Sequence, residues 1–282
     1  MDYARLQSWV FPDVEATYTD RDTMLYALGI GLGGDPTDPR ELPFVSEPHL
    51  RALPTMVAVV ARNRPWLSKV GVAVTDAVHG EQRTVWERPM PAAGTVVGKS
   101  RLAGIVDKGS GRGALILVEQ QLIDKATGNR LSVAVQTNFI RGAGGFGGPP
   151  GPVPEPHRPP DRSPDVVDDF RTLPQAALIY RLSGDRNPLH FDPETARRAG
   201  FPRPILHGFC TYGIAGWQVL RAFGAGDPAR LAALDARFST FTLPGETLRT
   251  EMWRDGDVVS FRSSVVERSV VSLSHGYARI RE

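Results

Sequence analysis

The sequence predicts an α+β protein built from two similar halves, each with one apolar helix followed by an antiparallel meander of strands. The same order of runs occurs on both sides of a glycine- and proline-rich segment. The turn Pro91–Thr95 in the first half resembles the turn Leu243–Thr247 in the second, and each stands before a long strand-like run. The length of 282 residues fits one large domain or two packed units of about 140 residues, and the repeated order favours the second arrangement.

The segment between the halves covers residues 142–164. It begins with the residues Gly142-Ala143-Gly144-Gly145-Phe146-Gly147-Gly148-Pro149-Pro150. A segment so rich in glycine and proline cannot hold a helix or a central strand, and we interpret it as a linker. The predicted halves are therefore residues 1–141 and residues 165–282.

Each half opens with an apolar segment that strand-like runs follow. In the N-terminal half the apolar segment is Leu53–Ala61, and the runs are Lys69–Ala77, Gln82–Arg88, Thr95–Asp107, Ala114–Asp124 and Arg130–Arg141. In the C-terminal half the apolar segment is Ile205–Phe223, and the runs are Ala236–Thr242, Thr247–Arg254, Asp257–Glu267 and Ser269–Ile280. These patterns predict one helix and a meander in each half.

The segment Ile205–Phe223 is apolar nearly all round and is followed by Gly224. A helix without a polar face must be wrapped by protein on most sides. An antiparallel sheet that curves strongly around one long helix is the hot-dog architecture, and two such units side by side would join their sheets. The predicted fold is thus an α+β double hot-dog, with two antiparallel sheets each wrapped around a central helix.

Composition excludes several classes of function. The chain has 33 Lys and Arg against 31 Asp and Glu, and its basic residues are scattered, so no nucleic-acid partner is expected. No apolar stretch is long enough to cross a membrane, and Met1–Pro12 lacks a signal-peptide pattern, so we expect a cytoplasmic protein without a membrane partner. Cys210 is the only cysteine, which excludes an intrachain disulfide and a thiolate metal cluster.

The most informative stretch runs from Tyr180 to His190. Gly184 and the pair Asn187-Pro188 predict a tight, non-helical loop that displays Asp185 and His190 together. A carboxylate and an imidazole that touch one water molecule can polarise it and move its proton. This pair suits the addition of water to the double bond of a 2-enoyl thioester, which needs one base and one acid.

Such a reaction also places negative charge on the thioester oxygen. Gly208 lies at the predicted start of the buried helix, where backbone N–H groups have no helical partner and the helix dipole favours an anion. A glycine there permits close approach of the thioester. The residues His207-Gly208 therefore predict a site for the oxyanion.

Together, the loop and the His207-Gly208 pair resemble the signature of the hydratase 2 family, also called MaoC-like hydratases, whose enoyl-CoA hydratases are (R)-specific. The resemblance covers the whole chain, because double hot-dog members also have an N-terminal half without the catalytic loop and a C-terminal half with it. It implies that the N-terminal half binds the acyl group and that the C-terminal half is catalytic. It further implies that Asp185 and His190 activate the water, that Asn187 orients the site, and that Gly208 supplies an oxyanion N–H.

The same resemblance implies contacts with acyl-CoA outside the catalytic pair. His79 and Gly80 in the stretch Val78–Gln82, and Lys108 in the stretch Asp107–Gly111, match family segments that contact the substrate. Phe238 matches an aromatic position that lines the site. Three loop residues are also placed with the substrate-binding group, namely Arg186, Pro188 and Leu189, although Arg186 stands where the family's loop varies and has no specific role.

Plainer interpretations exist for these residues. Asp and Asn in a turn often bond only their own backbone, His79 could belong to an ordinary turn, and Lys108 could be an ordinary hairpin lysine. We interpret His207 as a structural hydrogen-bonding partner. The residues His190, Asp192 and His207 could suggest a metal site, but the reaction needs no metal and the spacing matches no common ligand motif, so none is predicted.

The sequence therefore predicts an enzyme that hydrates trans-2-enoyl-CoA to (3R)-3-hydroxyacyl-CoA, or runs in reverse, with no cofactor beyond the CoA of its substrate. We expect a homodimer. One alternative is a 3-hydroxyacyl dehydratase that acts on acyl carrier protein thioesters. Another is a non-catalytic acyl-thioester-binding subunit of a hydratase complex, which the complete loop in the C-terminal half argues against. Because the N-terminal half lacks that loop, we expect it to leave room for a bulky acyl chain.

Overall fold

The computed structural model describes residues 1–63, 66–73, 76–153 and 155–282. Ten strands occur in these residues: β1 (Val14–Tyr18), β2 (Ala77–Trp86), β3 (Gly94–Asp107), β4 (Ala114–Asp124), β5 (Arg130–Ile140), β6 (Val166–Arg171), β7 (Leu231–Phe238), β8 (Thr247–Asp255), β9 (Val258–Val265) and β10 (Val270–Ile280). The α-helices are α1 (Tyr3–Gln7), α2 (Asp20–Ile30), α3 (Leu42–Val45), α4 (Ala176–Tyr180), α5 (Pro193–Arg198) and α6 (Gly208–Phe223).

The ten described strands form a single antiparallel sheet. Their order is β1-β3-β4-β5-β2-β7-β10-β9-β8-β6, with β2 paired to β7 at the centre. Outward from this pair, the strands of the N-terminal half follow in the order β5, β4, β3 and β1, and those of the C-terminal half in the order β10, β9, β8 and β6. Each half therefore has the same strand order from the centre to the edge. The two halves therefore share one sheet, as the joined hot-dog units of the prediction require. The boundaries at residues 141 and 165 stay a prediction.

Helix α6 is the central helix of the C-terminal half. It packs against β7, β8 and β10, and residues 209–220 are all buried, as the apolar sequence predicted. The amide of Gln218, which is fully buried, donates to the Asp168 carbonyl (2.8 Å) and accepts from the Thr250 hydroxyl (2.6 Å). The one long amide on the helix is thus satisfied inside the core.

The N-terminal half has no comparable helix in the described residues. The predicted helix over Leu53–Ala61 is wrong, because the segment forms only a 3₁₀ turn over Pro54–Ala58. Side chains from the sheet take the backbone carbonyls that a longer helix would use. Trp86 Nε1 donates to the Pro54 oxygen (3.0 Å), and Gln120 Nε2 donates to the Ala61 oxygen (2.6 Å).

A predicted strand over Lys69–Ala77 is also wrong. A 3₁₀ turn covers Leu67–Val70, and Gly71 ends it in the left-handed conformation with φ 72°. Residues 74 and 75 of the predicted strand lie outside the described residues. Strand β2 starts only at Ala77, so the run predicted from Gln82 is its second part.

Four further elements differ from the prediction. Strand β7 begins at Leu231 and not at Ala236, because Leu231–Leu234 is buried throughout and shows no alternation. The edge strands β1 and β6 were not predicted, since they are only five and six residues long. Helix α2 was not predicted either, although Thr19 and Asp22 form a capping box at its start.

The segment 142–164 contains no helix or strand among its described residues, as its glycines and prolines predicted. Within the described part of the chain, none of the helices has the length and apolar character needed to cross a bilayer.

On the face opposite α6, the central strands carry ionisable side chains around a cavity of about 240 Å³. Arg237 forms a 2.5 Å salt bridge with Glu81, and Arg83 lies 3.3 Å from the same carboxylate. Asp235 also lines this cavity. Burial, together with the negative charge of Glu81, raises the pKa of Asp235 to about 6, while Arg83 opposes the shift.

We expect Asp235→Asn to stabilise the protein at neutral pH. The folded state holds the Asp235 proton up to about pH 6, whereas the ordinary pKa is 3.8. The unfolded chain therefore binds fewer protons between these values, and the free energy of unfolding falls as pH rises through this window. Asparagine cannot ionise, so the variant should gain about 1 to 3 kcal/mol at about pH 7.5 and almost nothing at about pH 4. Urea denaturation at the two pH values measures this difference.

Asp169→Asn is the matched control for this experiment. Asp169 lies on edge strand β6 and forms a 2.7 Å salt bridge with Arg249, whose hydrogen bond lowers the pKa of the carboxyl. Its substitution should change stability slightly and in the opposite direction at neutral pH. An equal gain for Asp235→Asn at both pH values would contradict the role given to the Asp235 proton.

Candidate active site

The predicted catalytic loop follows α4 directly. A 3₁₀ turn covers Arg181–Ser183, and Gly184 reverses the chain in the left-handed region with φ 118°. A second short turn, Pro188–His190, begins after Asn187, whose side-chain oxygen accepts from the Leu189 N–H (3.1 Å). The loop is therefore shaped by a glycine and an asparagine cap, and it ends in a buried histidine.

Asp185 and His190 point into one small space. Side-chain atoms of Asp185, His190 and His207 all lie within 4.8 Å of one another. The His190 ring is 8% exposed, and its Nδ1 is 2.9 Å from the carbonyl oxygen of Ile205. A carbonyl oxygen can only accept, so Nδ1 carries the proton and Nε2 is the basic atom of the neutral ring. The loop therefore brings a carboxylate and a basic ring nitrogen together, as predicted from the sequence.

His207 supports this arrangement from the start of α6. Its ring stacks on His190 with centroids 3.7 Å apart, and its Nε2 donates to the backbone oxygen of Asp185 (3.0 Å). The side chain of Asp185 in turn accepts from the Asn187 N–H (3.3 Å). His207 thus makes the hydrogen bond of the structural partner that we predicted, and it ties the loop to the helix that carries Gly208.

Gly208 is the first residue of α6 and faces an aromatic cluster. A Cβ built on Gly208 would lie 3.2 Å from two ring atoms of Phe238. The His79 ring, from the N-terminal half, lies 4.3 Å from Phe209 and 4.5 Å from Phe238 between centroids. Gly80 follows His79 at an irregularity of the β2–β5 pairing. The structure therefore places His79, Phe238 and Gly208 together across the boundary between the halves.

The remaining predicted binding residues are less closely joined to the catalytic pair. Lys108 lies at the end of β3, with its Nζ 5.9 Å from the Phe139 ring centroid. Arg186 and Pro188 are exposed on the loop surface. Leu189 is half-buried, and its carbonyl accepts from the Ile205 N–H (3.3 Å). In the β2–β5 register Phe139 pairs with Val78 and His79 pairs with Asn138, so the Lys108–Phe139 contact lies on the sheet face opposite the His79 side chain.

Two family models match most of the chain. Residues 16–142 match the MFE-2 hydratase 2 N-terminal domain, and residues 155–275 match the MaoC like domain. The chain is 39% identical to the peroxisomal enoyl-CoA hydratase 2 of Arabidopsis thaliana, over 96% of this chain and 92% of that protein. The chain belongs to the hydratase 2 family of MaoC-like dehydratases.

Other relatives and solved structures are also similar to this chain over most of its length. The 3-hydroxyacyl-thioester dehydratase Y of Mycobacterium tuberculosis is 42% identical over 84% of this chain and 82% of its own. The crystal structure of a MaoC-like dehydratase from Phytophthora capsici superposes with a TM-score of 0.88 at 32% identity, covering 100% of this chain and 99% of that one. A Mycobacterium tuberculosis protein with a double hot-dog fold, at 16% identity and a TM-score of 0.55, supports the fold alone, covering 99% of this chain and 94% of that one. The predicted family and double hot-dog fold are confirmed.

Two residues near the hydratase 2 site were missed from the sequence. Tyr180 is 1% exposed, and its ring lies 4.9 Å from that of His207. Arg62 lies 5.3 Å from the Phe209 ring centroid and donates to the amide oxygens of Gln120 and Gln136. Tyr180 opens the stretch that the sequence singled out but was given no role there, and the position of Arg62 depends on contacts between distant segments.

The side chains that could hold a metal ion in this hydratase 2 chain are those of the catalytic pair and His207. Among the described residues, one potential ligand atom each from Asp185, His190 and His207 lie within 4.8 Å of one another. Asp192, which we considered for such a site, instead caps α5 by accepting from the Glu194 and Thr195 N–H groups (3.2 Å each). Two ring nitrogens of the triad already meet backbone oxygens. A reaction without a metal is thus a proposal for this protein.

Proposed function

We propose that the protein catalyses the reversible, (R)-specific hydration of trans-2-enoyl-CoA to (3R)-3-hydroxyacyl-CoA, without a metal or redox cofactor. The observation that carries the proposal is the convergence of Asp185 and His190 on one space beside the start of α6. The names of the relatives, enoyl-CoA hydratase and 3-hydroxyacyl-thioester dehydratase, describe the two directions of this reaction.

In the proposed mechanism, one water molecule binds between the Asp185 carboxylate and His190 Nε2. The pair polarises the water, its oxygen forms a bond to C3 of the enoyl thioester, and electrons shift toward the thioester oxygen. The Gly208 N–H stabilises that oxygen at the positive end of α6. The pair takes one proton from the attacking water and delivers a proton to C2, so that the elements of one water are added across the double bond. Asn187 shapes the loop through its cap of Leu189.

The acyl chain would pass His79, Phe209 and Phe238 toward the N-terminal half. These three rings are in mutual contact and form an aromatic wall beside Gly208. The N-terminal half lacks the catalytic loop, and on that ground we propose that it receives a bulky acyl chain. A cytoplasmic location and a homodimer belong to the same proposal, and light scattering of the purified protein tests the second.

We expect the purified protein to remove the enoyl-thioester absorbance of both crotonyl-CoA and a long-chain trans-2-enoyl-CoA. The product should be oxidised by a dehydrogenase specific for the (3R)-hydroxyacyl thioester and not by one specific for the (3S) form. A faster reaction with the long chain supports the bulky acyl site. Activity only on carrier-protein thioesters would favour the alternative dehydratase, and release of free thiol would identify a thioesterase.

A further inference from the structure

Arg62 holds a guanidinium group against the aromatic wall of the proposed site. Its Cζ lies 5.3 Å from the Phe209 ring centroid. Its Nη1 donates to the side-chain oxygen of Gln120 (3.2 Å), and its Nη2 donates to that of Gln136. Gln136 in turn donates to the side-chain oxygen of Asn138 (2.9 Å). A cation and a chain of amides thus lie directly beside the wall along which the acyl chain is proposed to pass.

These amides lie on the inner face of the N-terminal half of the sheet, together with His79. In the β2–β5 register Asn138 pairs with His79, and Gln136 is the next residue of β5 on the same face. Arg62, Gln136 and His79 are nevertheless only half-buried. Side chains on the inner face of a sheet keep contact with solvent only where a space opens beside them. Their exposure therefore indicates a passage that leads from the aromatic wall to Arg62.

The backbone just before Arg62 is held in an unusual conformation. Ala61 has φ 51°, in the left-handed region that residues with a Cβ rarely adopt. Its carbonyl accepts from Gln120 Nε2 (2.6 Å). A Cβ built on Gly98 would overlap this same carbonyl oxygen, so the glycine allows the segment to lie directly on the sheet. Strained backbone that surrounding contacts hold in place is typical of functional sites, and here it sets the direction in which Arg62 leaves the chain.

We propose that Arg62 ends the acyl-binding passage and thereby limits the length of the unbranched chain that the enzyme accepts. Each methylene that leaves water for an apolar surface favours binding. A chain end that reaches the guanidinium must instead displace it from its two amide acceptors, and a charged donor that loses its acceptors opposes binding. The inference rests on the proposed function, because it assumes that the acyl chain passes the aromatic wall. It restricts the length of the chain and not its width.

The dependence of kcat/KM on chain length tests this inference, with trans-2-enoyl-CoA substrates from crotonyl-CoA to dodecenoyl-CoA. In the wild type, kcat/KM should rise about fourfold for each added methylene until the chain end reaches Arg62, and then level off or fall. Arg62→Met replaces the cation with an apolar side chain, so the rise should continue. The ratio of kcat/KM for dodecenoyl-CoA to that for crotonyl-CoA should then exceed the wild-type ratio by at least about tenfold. A break at the same chain length in folded Arg62→Met overturns the inference, as does a wild-type profile that rises without a break.

Three further variants make the result specific. Arg101→Met removes an exposed arginine of the same half, which forms a 2.6 Å salt bridge with Glu119, and it should keep the wild-type profile. Arg62→Lys keeps a cation at the end of the passage and should keep the break. Gln136→Leu removes one acceptor of Arg62 and adds apolar surface, so it should move the break to a longer chain even if Arg62→Met does not fold.

The outcomes separate this inference from the proposed function. A wild type that hydrates enoyl-CoA, with a profile that Arg62→Met and Gln136→Leu leave unchanged, overturns only the role given to Arg62. An equal shift of the break in Arg101→Met would also overturn it, because the effect would then be general. A wild type that hydrates none of these thioesters overturns the proposed function itself.

Discussion

Asp185→Asn is expected to lower kcat for enoyl-CoA hydration by about 10³-fold, and His190→Gln should lower it by a similar factor. Asparagine keeps the shape of the loop and one acceptor for the Asn187 N–H but removes the negative charge that polarises the water. Glutamine lacks the basic Nε2 that the Ile205 hydrogen bond leaves on His190. Because both groups act on one water, the double variant should be no more than about threefold slower than the slower single variant. Initial rates with a saturating enoyl-CoA measure all three.

The control for this pair comes from the same stretch of chain. Asp192→Asn changes a carboxylate that caps α5, and asparagine is an equally good N-cap, so activity should stay within about twofold of wild type. Retention of the fold is checked by the melting temperature of each variant. If Asp185→Asn keeps more than a tenth of wild-type kcat, or if the effects of the two single variants multiply, the shared water molecule is the wrong mechanism.

Regular strands with clear turns could be predicted from the sequence almost to the residue. Strand β4 was predicted as Ala114–Asp124 and lies there, and β5 differs only by Arg141. Both strands have a buried inner face and pair on both sides, so local pattern and tertiary environment agree. Where the local pattern and the tertiary environment agree, the sequence alone is sufficient to predict the bounds of a strand.

Segments whose backbone bonds to distant side chains could not be predicted in this way. The run Leu53–Ala61 has the apolar character of a buried helix, but Trp86 and Gln120 take two of its carbonyls. Their side chains reach it from strands far along the chain. The same holds for Asp107, whose four glycine donors come from both sides of the β4–β5 meander.

The candidate site contains residues of both kinds: some could be predicted from the local sequence, and others are brought together only by the tertiary fold. The spacing from Asp185 to His190 is local, and a loop with Gly184 and Asn187 displays both residues in any fold that contains it. The contact of His79 with Phe209 and Phe238 joins the two halves, and only the family resemblance suggested it. Residue spacing can propose a catalytic pair, whereas the wall that receives the substrate is a property of the assembled sheet.

Gly208→Ala is expected to lower kcat by about 10- to 100-fold, with a much smaller change in KM. The added Cβ would lie 3.2 Å from two atoms of the Phe238 ring, and this ring is in contact with His79 on another side. The start of α6 must therefore shift by a few tenths of an ångström, and the N–H of residue 208 moves away from the thioester oxygen. Removal of one oxyanion donor typically costs about 10²- to 10³-fold in kcat, and a displaced donor should cost less. Steady-state rates with crotonyl-CoA give both constants.

Two variants separate the displaced N–H from a general disturbance of the helix. Gly213→Ala lies on the same helix, where a Cβ would approach the Tyr26 hydroxyl to 2.9 Å, so it should lower the melting temperature but leave kcat nearly unchanged. Phe238→Leu should recover part of the lost kcat in the Gly208→Ala background, because a smaller side chain lets the helix start return toward its original position. Loss of kcat in Gly213→Ala as large as in Gly208→Ala would instead trace the effect to helix packing. In that case the Gly208 N–H would have no special part in the reaction, and the oxyanion would need another donor near His190.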